Sequence, residues 1–179
     1  MKATKSTVTI VAICSDDGNH RYLLRRQWDK EKPEAAVVMI NPTTSDDLSP
    51  DLTSMLVQKN IAKLGFGAVS IINLYSYITP KISVRWFGDD ELSNDDNDKE
   101  IEKAAQRADT VIIAWGTFGH STQRVQNRKE QVLKILKENS SHICCIADQQ
   151  GRTGLHPLTP SVRSSWRLED YDDKDQSET

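Results

Sequence analysis

At 179 residues, with 37% hydrophobic and 27% charged side chains, the chain has the size of one domain and enough apolar residues for one core. Its formal net charge of −3 argues against the broad basic face of a general nucleic-acid binder, and no apolar run approaches the ~20 residues of a membrane span. Three cysteines without a C-x-x-C pair argue against a disulfide framework and a cysteine zinc site, and the N-terminus, MKATKSTVTIVAICSDDG, lacks a signal-peptide core, which points to the cytoplasm.

Residues 7–13 and 21–28 read as strands, and the turn cluster Ser15-Asp16-Asp17-Gly18-Asn19 between them makes a β-hairpin. Arg21, Arg25 and Arg26 place positive charge on its second strand, either as a solvated edge or as an anion-facing patch. The stretch AAVVMINPTT follows at residues 35–44. Its apolar part is continuous rather than alternating, as in a strand buried on both faces, and Pro42 ends it because it cannot donate to a ladder. Asp51 is placed to cap a helix over 52–64, with Leu52, Met55, Leu56 and Ile61 as its apolar side and Gly65 and Gly67 after its end. A second buried-type strand covers 68–74. Residues 81–97, with Trp86, Phe87 and many acids, form a loop of lid length. Asn94 or Asn97 caps a helix over 98–107; a strand over 110–115, a helix over 121–139 and a strand over 142–146 complete the alternation. Cys144 and Cys145 in HICCIA read as small buried hydrophobes. GRTGLHPLTPS is a constrained loop. The domain spans 1–168, and the acidic segment 169–179 is expected to fray.

Strands alternating with helices predict a three-layer α/β fold: a central, mostly parallel four-stranded sheet plus the N-terminal hairpin. Parallel strands share a carboxyl edge, where ligands bind in open α/β sheets. Asn41, Pro42, Thr43, Asn73, Tyr75, Gly116 and His156 are expected there, with Ser76 and His120 at the margin. The set has no metal-ligand spacing, so no metal and no cofactor is expected. The chain contains no G-x-x-x-x-G-K loop, no G-x-G-x-x-G and no G-x-S-x-G elbow. Two carboxamides and an imidazole suit a planar, amide-like ligand such as a nucleobase, because a carboxamide both donates and accepts. The imidazole can stabilise a departing anion, and Tyr75, Tyr77 or Phe118 can stack on a ring. Each residue also has a structural explanation: Asn41 as a turn residue before proline, Asn73 as a strand terminator, His156 as a hydrogen-bonded loop histidine.

The ordered series INPTT, IINLYSYITP, VIIAWGTFG and GLHPL resembles a bacterial and phage family of uncharacterised small domains, over residues 21–158. More distantly, it resembles the uracil-DNA glycosylase superfamily. That resemblance implies a four-stranded parallel sheet, Asn41 as the residue that positions water, Asn73 as the reader of the base, His156 as the stabiliser of the departing base, and Trp115-Gly116 behind the pocket. It also implies a nucleobase, nucleotide or nucleic-acid ligand and cleavage of an N-glycosidic bond. The chain departs from that pattern. Met39 and Ile40 stand where a glycine is usual, Thr43 and Thr44 replace a stacking aromatic, and a carboxamide at 41 is not a base. Arg152, Arg163 and Arg167 are the candidate phosphate contacts. The alternative is a non-catalytic interaction module on the same fold, such as a phage or mobile-element protein that blocks a host factor. A small-metabolite hydrolase is a third reading with no residue set of its own.

Overall fold

The strand Glu34–Met39 is buried along its whole length and sits in the middle of the sheet of the computed structural model, which describes residues 1–44, 48–80, 82, 84–117 and 122–172. In chain order the elements are β1 (Thr9–Cys14), β2 (Arg21–Gln27), β3 (Glu34–Met39), α1 (Leu52–Lys63), β4 (Ala68–Asn73), α2 (Asp89–Leu92), α3 (Asp95–Arg107), β5 (Thr110–Ile113), α4 (Gln123–Asn139), β6 (Ile143–Ala147), a 3₁₀ turn (Pro160–Val162) and β7 (Arg167–Asp170).

These strands form one seven-stranded mixed sheet in the order β1-β2-β4-β3-β5-β6-β7. The expected four parallel strands are its centre, β4-β3-β5-β6. The sheet is larger than expected because both ends are extended by antiparallel strands. The hairpin does not stand apart: β2 pairs with β4, Leu24 opposite Ile71. Leu23 enters the core on one face and Leu24 the core on the other, so β2 needs a place inside the sheet. At the other edge β7 pairs with β6, so Glu169 and Asp170, read from their charge as the start of a tail, are strand residues. Leu168 packs on one core and Tyr171 on the other, and these apolar anchors outweigh the acids. The last seven residues of the acidic segment lie outside the described ones.

Helices cover both faces. On one, Ile101, Ala104 and Ala105 of α3 and Val132 and Leu136 of α4 pack with Val38, Ile72, Val111 and Ile113. On the other, Val57 and Ile61 of α1 join Val162 and Trp166 against Val37, Ile71 and Ile112. The helix after β3 thus lies on one face and the helix after β5 on the other. Neighbouring strands with crossovers on opposite faces make a topological switch point at their carboxyl ends.

Local chemistry explains the helix boundaries. Asp51 caps α1, its Oδ1 accepting from Ser54 N at 2.7 Å. The inward stripe of α1 is Ser54, Val57, Asn60 and Ile61; Leu52 and Met55, expected inside, are 56% exposed. Asn60 occupies an inward position because its Nδ2 donates to Leu56 O at 2.9 Å. The helix expected from 98 begins at Asp95, since Asn94 is the cap and three acids in the first turn complement the helix dipole. α4 begins at Gln123; Ser121 lies outside the described residues. Trp86 is exposed, whereas Phe87 packs on Tyr77 with ring centroids 5.1 Å apart.

A buried carboxylate ties the amino edge of the sheet together. Glu34 accepts from Arg25 NH2 at 2.7 Å, Ser70 Oγ at 2.6 Å and Arg107 Nε at 3.1 Å. Among the described residues, no helix is long and apolar enough to cross a membrane.

Candidate ligand-binding site at the carboxyl edge of the sheet

Three loops meet over the ends of β3 and β4. After β3, Pro42 stops the ladder and Asn41 turns back. The Asn41 Nδ2 donates to Pro42 O at 2.9 Å and to Thr79 O at 2.8 Å, which buckles the loop after β3 to the one after β4. Both amide hydrogens are therefore committed, and the carboxamide oxygen remains as an acceptor.

β4 ends at Asn73, whose side chain shares a face with Ile71 and lies across from Met39 in the parallel register. The main chain here is anchored from behind. Asn97 Nδ2 donates to Asn73 O at 3.2 Å, and Arg128 Nε donates to Leu74 O at 2.7 Å. Asn73 is 3% exposed, and its Oδ1 has no hydrogen-bond partner. An unpartnered buried carbonyl costs about 1–3 kcal/mol, which a donor entering the cavity would offset.

His156 arrives on the loop after β6. Asp148 starts that loop, accepting from Gln150 N at 3.0 Å, Arg152 N at 3.1 Å and Arg152 Nε at 2.7 Å. Leu155 N donates to Ile146 O at 3.1 Å, and Thr159 N to His156 O at 2.8 Å. Leu158 N donates to His156 Nδ1 at 3.2 Å. That bond makes Nδ1 an acceptor and leaves the proton of the neutral ring on Nε2. Burial lowers the pKa of His156 below the ordinary histidine value, although Asp51 pulls the other way. The ring is therefore a neutral Nε2–H donor at physiological pH. Behind it, Gly116 has φ +62°, and a Cβ there would lie 2.9 Å from His156 Cβ. Only glycine combines that backbone with that approach.

Asn41, Pro42, Thr43, Asn73 and His156 line one cavity of about 170 Å³, together with Arg21, Asp51, Thr53 and Ser54. Five of the seven expected site residues thus share a wall, and Gly116 supports it from behind. Tyr75 does not. Leu74 and Tyr75 belong to the core on the α3–α4 face, and Tyr75 lines a different cavity of about 300 Å³ with Arg124 and Arg128. Strand alternation would return Tyr75 to the face of Asn73, but β4 ends at Asn73 and the chain beyond it carries both Leu74 and Tyr75 into the α3–α4 core. Burial raises the Tyr75 pKa. Trp115 also packs on the α3–α4 side, so Gly116 alone of that pair reaches the His156 loop. Ser76 Oγ lies 2.9 Å from His20 Nδ1 and does not line the cavity. Tyr77 packs on His20 and Phe87. His120 and Phe118 lie outside the described residues. Of the proposed phosphate contacts, Arg152 pairs with Asp148 and Arg167 with Glu169, while Arg163 Nε donates to Leu158 O at 2.7 Å beside the cavity.

Asp51 and Arg21 are the charged cavity residues that sequence reasoning did not place there. Asp51 is visible in the sequence only as a helix cap, yet the start of α1 returns to the end of β3 and brings the carboxylate with it. Burial raises its pKa, but bonds from Thr43 Oγ1 (2.6 Å) and Ser54 N (2.7 Å) outweigh this and keep it below the usual aspartate value. Arg21, at the start of β2, adds a nearby positive charge. Its visible signal was the anion-facing reading of the hairpin arginines.

The cavity therefore presents an acceptor from Asn41, the carboxamide of Asn73, a neutral Nε2–H donor, an ionised carboxylate and a guanidinium. At about 170 Å³ it lies below the ~300–1,000 Å³ of sites that enclose a drug-sized ligand, so it suits one ring with the rest of the ligand outside. One protein family's model matches the chain over residues 21–158; its description is "Protein of unknown function (DUF1643)". Comparison with curated proteins and with solved structures gave no match.

Proposed function

Since the chain belongs to the DUF1643 family, whose description carries no activity, we propose, from the site and from the motif order's distant resemblance to uracil-DNA glycosylases, that it binds a nucleobase and is a glycosylase-like domain that cleaves an N-glycosidic bond in nucleic acid or a nucleotide. The observation that carries this reading is the unpartnered Asn73 Oδ1, buried beside a neutral His156 in a one-ring cavity. A base edge with an N–H beside a carbonyl would pair with the Asn73 carboxamide and end its isolation. His156 Nε2–H would donate to the base as its electrons leave, and donors of this kind matter most where water is excluded. Positive charge developing on the sugar would be met by ionised Asp51. Asn41 Oδ1 would orient the water that attacks the sugar. The distant likeness to uracil-DNA glycosylases assigns Asn41, Asn73 and His156 the same roles.

The binding-only reading has its own support. Both Asp51 oxygens already accept hydrogen bonds, and Asn41 is not a base. A domain on this fold that holds a base, or that blocks a partner protein, needs no proton acceptor.

Wild type and the Asn73→Ala and His156→Ala variants would be screened against bases, nucleosides, nucleotides and short single- and double-stranded DNA and RNA, with released base assayed in parallel. The glycosylase reading expects release by wild type, binding abolished by Asn73→Ala, and release lowered about 10²–10³-fold by His156→Ala. Binding without release supports the binding-only reading. Neither binding nor release by folded wild type overturns the nucleobase reading.

A further inference from the structure

The amino edge of β6, at the far end of the sheet from the cavity, carries three side chains that the proposed reaction does not use. β7 runs antiparallel to β6 and sets Asp170 opposite Cys144. His142, two residues before Cys144, projects to the same side. His142 Nε2 lies 3.2 Å from Cys144 Sγ and 3.3 Å from Asp170 Oδ1, and Cys144 Sγ lies 3.9 Å from that oxygen. The other ring nitrogen is held as well: Thr110 Oγ1 of β5 lies 3.2 Å from His142 Nδ1.

A tetrahedral zinc ion with bonds of ~2.0–2.3 Å holds its ligand atoms roughly 3.4–3.6 Å apart. The three separations here bracket that range, and moving each atom by a few tenths of an ångström would admit the ion. Cys144 is buried at the floor of the group, whereas His142 and Asp170 are exposed at its mouth. The thiolate–imidazole pair selects against magnesium and calcium, which take oxygen ligands. A partner on the second ring nitrogen is the usual companion of a metal-bound histidine.

We propose that His142 Nε2, Cys144 Sγ and Asp170 Oδ1 form a three-ligand site for zinc, with the fourth position open to water. The ion ties the edge strand β7 to β6, and through Thr110 and His142 to β5. β7 ends the segment that carries His156 and the 3₁₀ turn, so the metal holds that segment against the sheet.

The test uses the full chain, with Zn²⁺ affinity measured against a competing chelator, Co²⁺ absorption spectra, and thermal melting with and without metal. The expected result is one zinc per chain, with four-coordinate Co²⁺ bands and a thiolate charge-transfer band that vanishes in Cys144→Ser. Affinity falls at least tenfold in His142→Ala and Asp170→Ala, and about 10–100-fold in Thr110→Val. Zinc raises the melting temperature of wild type but not of the ligand variants. Cys145→Ser and Cys14→Ser bind as wild type does, because Cys145 joins the opposite core and Cys14 lies on the far edge strand. Metal-free melting of each variant shows whether it is folded. Zinc binding equal in wild type and the folded ligand variants, binding lost in Cys14→Ser, or Co²⁺ without a thiolate band would each overturn the site.

Discussion

Asn73 and His156 line the cavity, and Gly116 makes room for the His156 loop behind it. Truncating Asn73 breaks no side-chain bond at Oδ1, so Asn73→Ala is expected to melt at or above the wild-type temperature while losing ligand; calorimetry beside a binding assay checks both. Gly116→Ala forces a side chain into His156 Cβ at a positive φ. The expected cost is about 1–3 kcal/mol in urea unfolding, with ligand affinity reduced in the surviving folded protein. For His156, the lowered folded pKa means the neutral ring persists at neutral pH. Ligand binding that depends on it should be flat from about pH 7 to 8 and fall only as pH drops below the ordinary histidine value of 6.5, a profile absent from His156→Gln. These residues were legible because each follows or ends a buried-type apolar run or lies in the constrained loop after the last one, in an order that is itself suggestive. Asp51 was not, because a helix-capping aspartate has the same local pattern whether or not its helix begins beside a ligand.

At the scale of elements, α4 shows what a helical repeat conceals. Lys129 sits in the inward stripe with Val125, Val132 and Leu136, its Nζ 5.7 Å from the centroid of the Trp115 ring and without a hydrogen-bond partner. Burial brings its pKa down to about 8. Between that value and the ordinary lysine value, the unfolded chain holds a proton that the folded chain has released, so stability rises with pH across this window and levels off below it. Lys129→Met should stabilise the protein by on the order of 1–3 kcal/mol at pH 7 and flatten the alkaline side of its stability profile, read from denaturant midpoints. The same helix supplies Arg128, which reaches Leu74 O and Asp98 and so supports the strand end that presents Asn73. Tyr75 did not join Asn73 because β4 ends at Asn73: alternation would have put the two on one face, and past the strand end it no longer holds. The expected apolar side of α1 missed for a related reason. The inward stripe contains Ser54 and Asn60, which a hydrophobic pattern cannot flag.

For the whole molecule, the Glu34 cluster joins β2, β3, β4 and α3. Burial raises the Glu34 pKa, but hydrogen bonds from Arg25, Ser70 and Arg107 outweigh it and leave the carboxyl below its ordinary value. A depressed carboxyl pKa gives stability that is present above the unfolded value of about 4.5 and is lost as pH falls through the folded one. Asp51 titrates in the same sense. Acid should therefore loosen the amino edge of the sheet and the cavity rim together, seen as a cooperative loss of structure below about pH 4. Glu34→Ala leaves two guanidinium groups without their carboxylate and should cost about 3–5 kcal/mol at pH 7, with most of the acid dependence lost; a pH series of urea melts checks both.

By itself, the sequence determined the parallel centre of the sheet, the helices between its strands, and the strand ends at which Asn41, Asn73 and Gly116 stand. Continuous apolar runs, proline and glycine stops, and helix caps are local signals, and each acts within a few residues. Tertiary structure decided which edges the hairpin and the acidic C-terminal strand cover, which face each side chain after a strand end takes, and that Asp51 and Arg21 share the cavity with the two carboxamides. It also brought His142 and Cys144 to Asp170. Those outcomes depend on pairing between segments far apart in the chain, where burial of a few apolar anchors such as Leu24, Leu168 and Trp166 outweighs the local pattern.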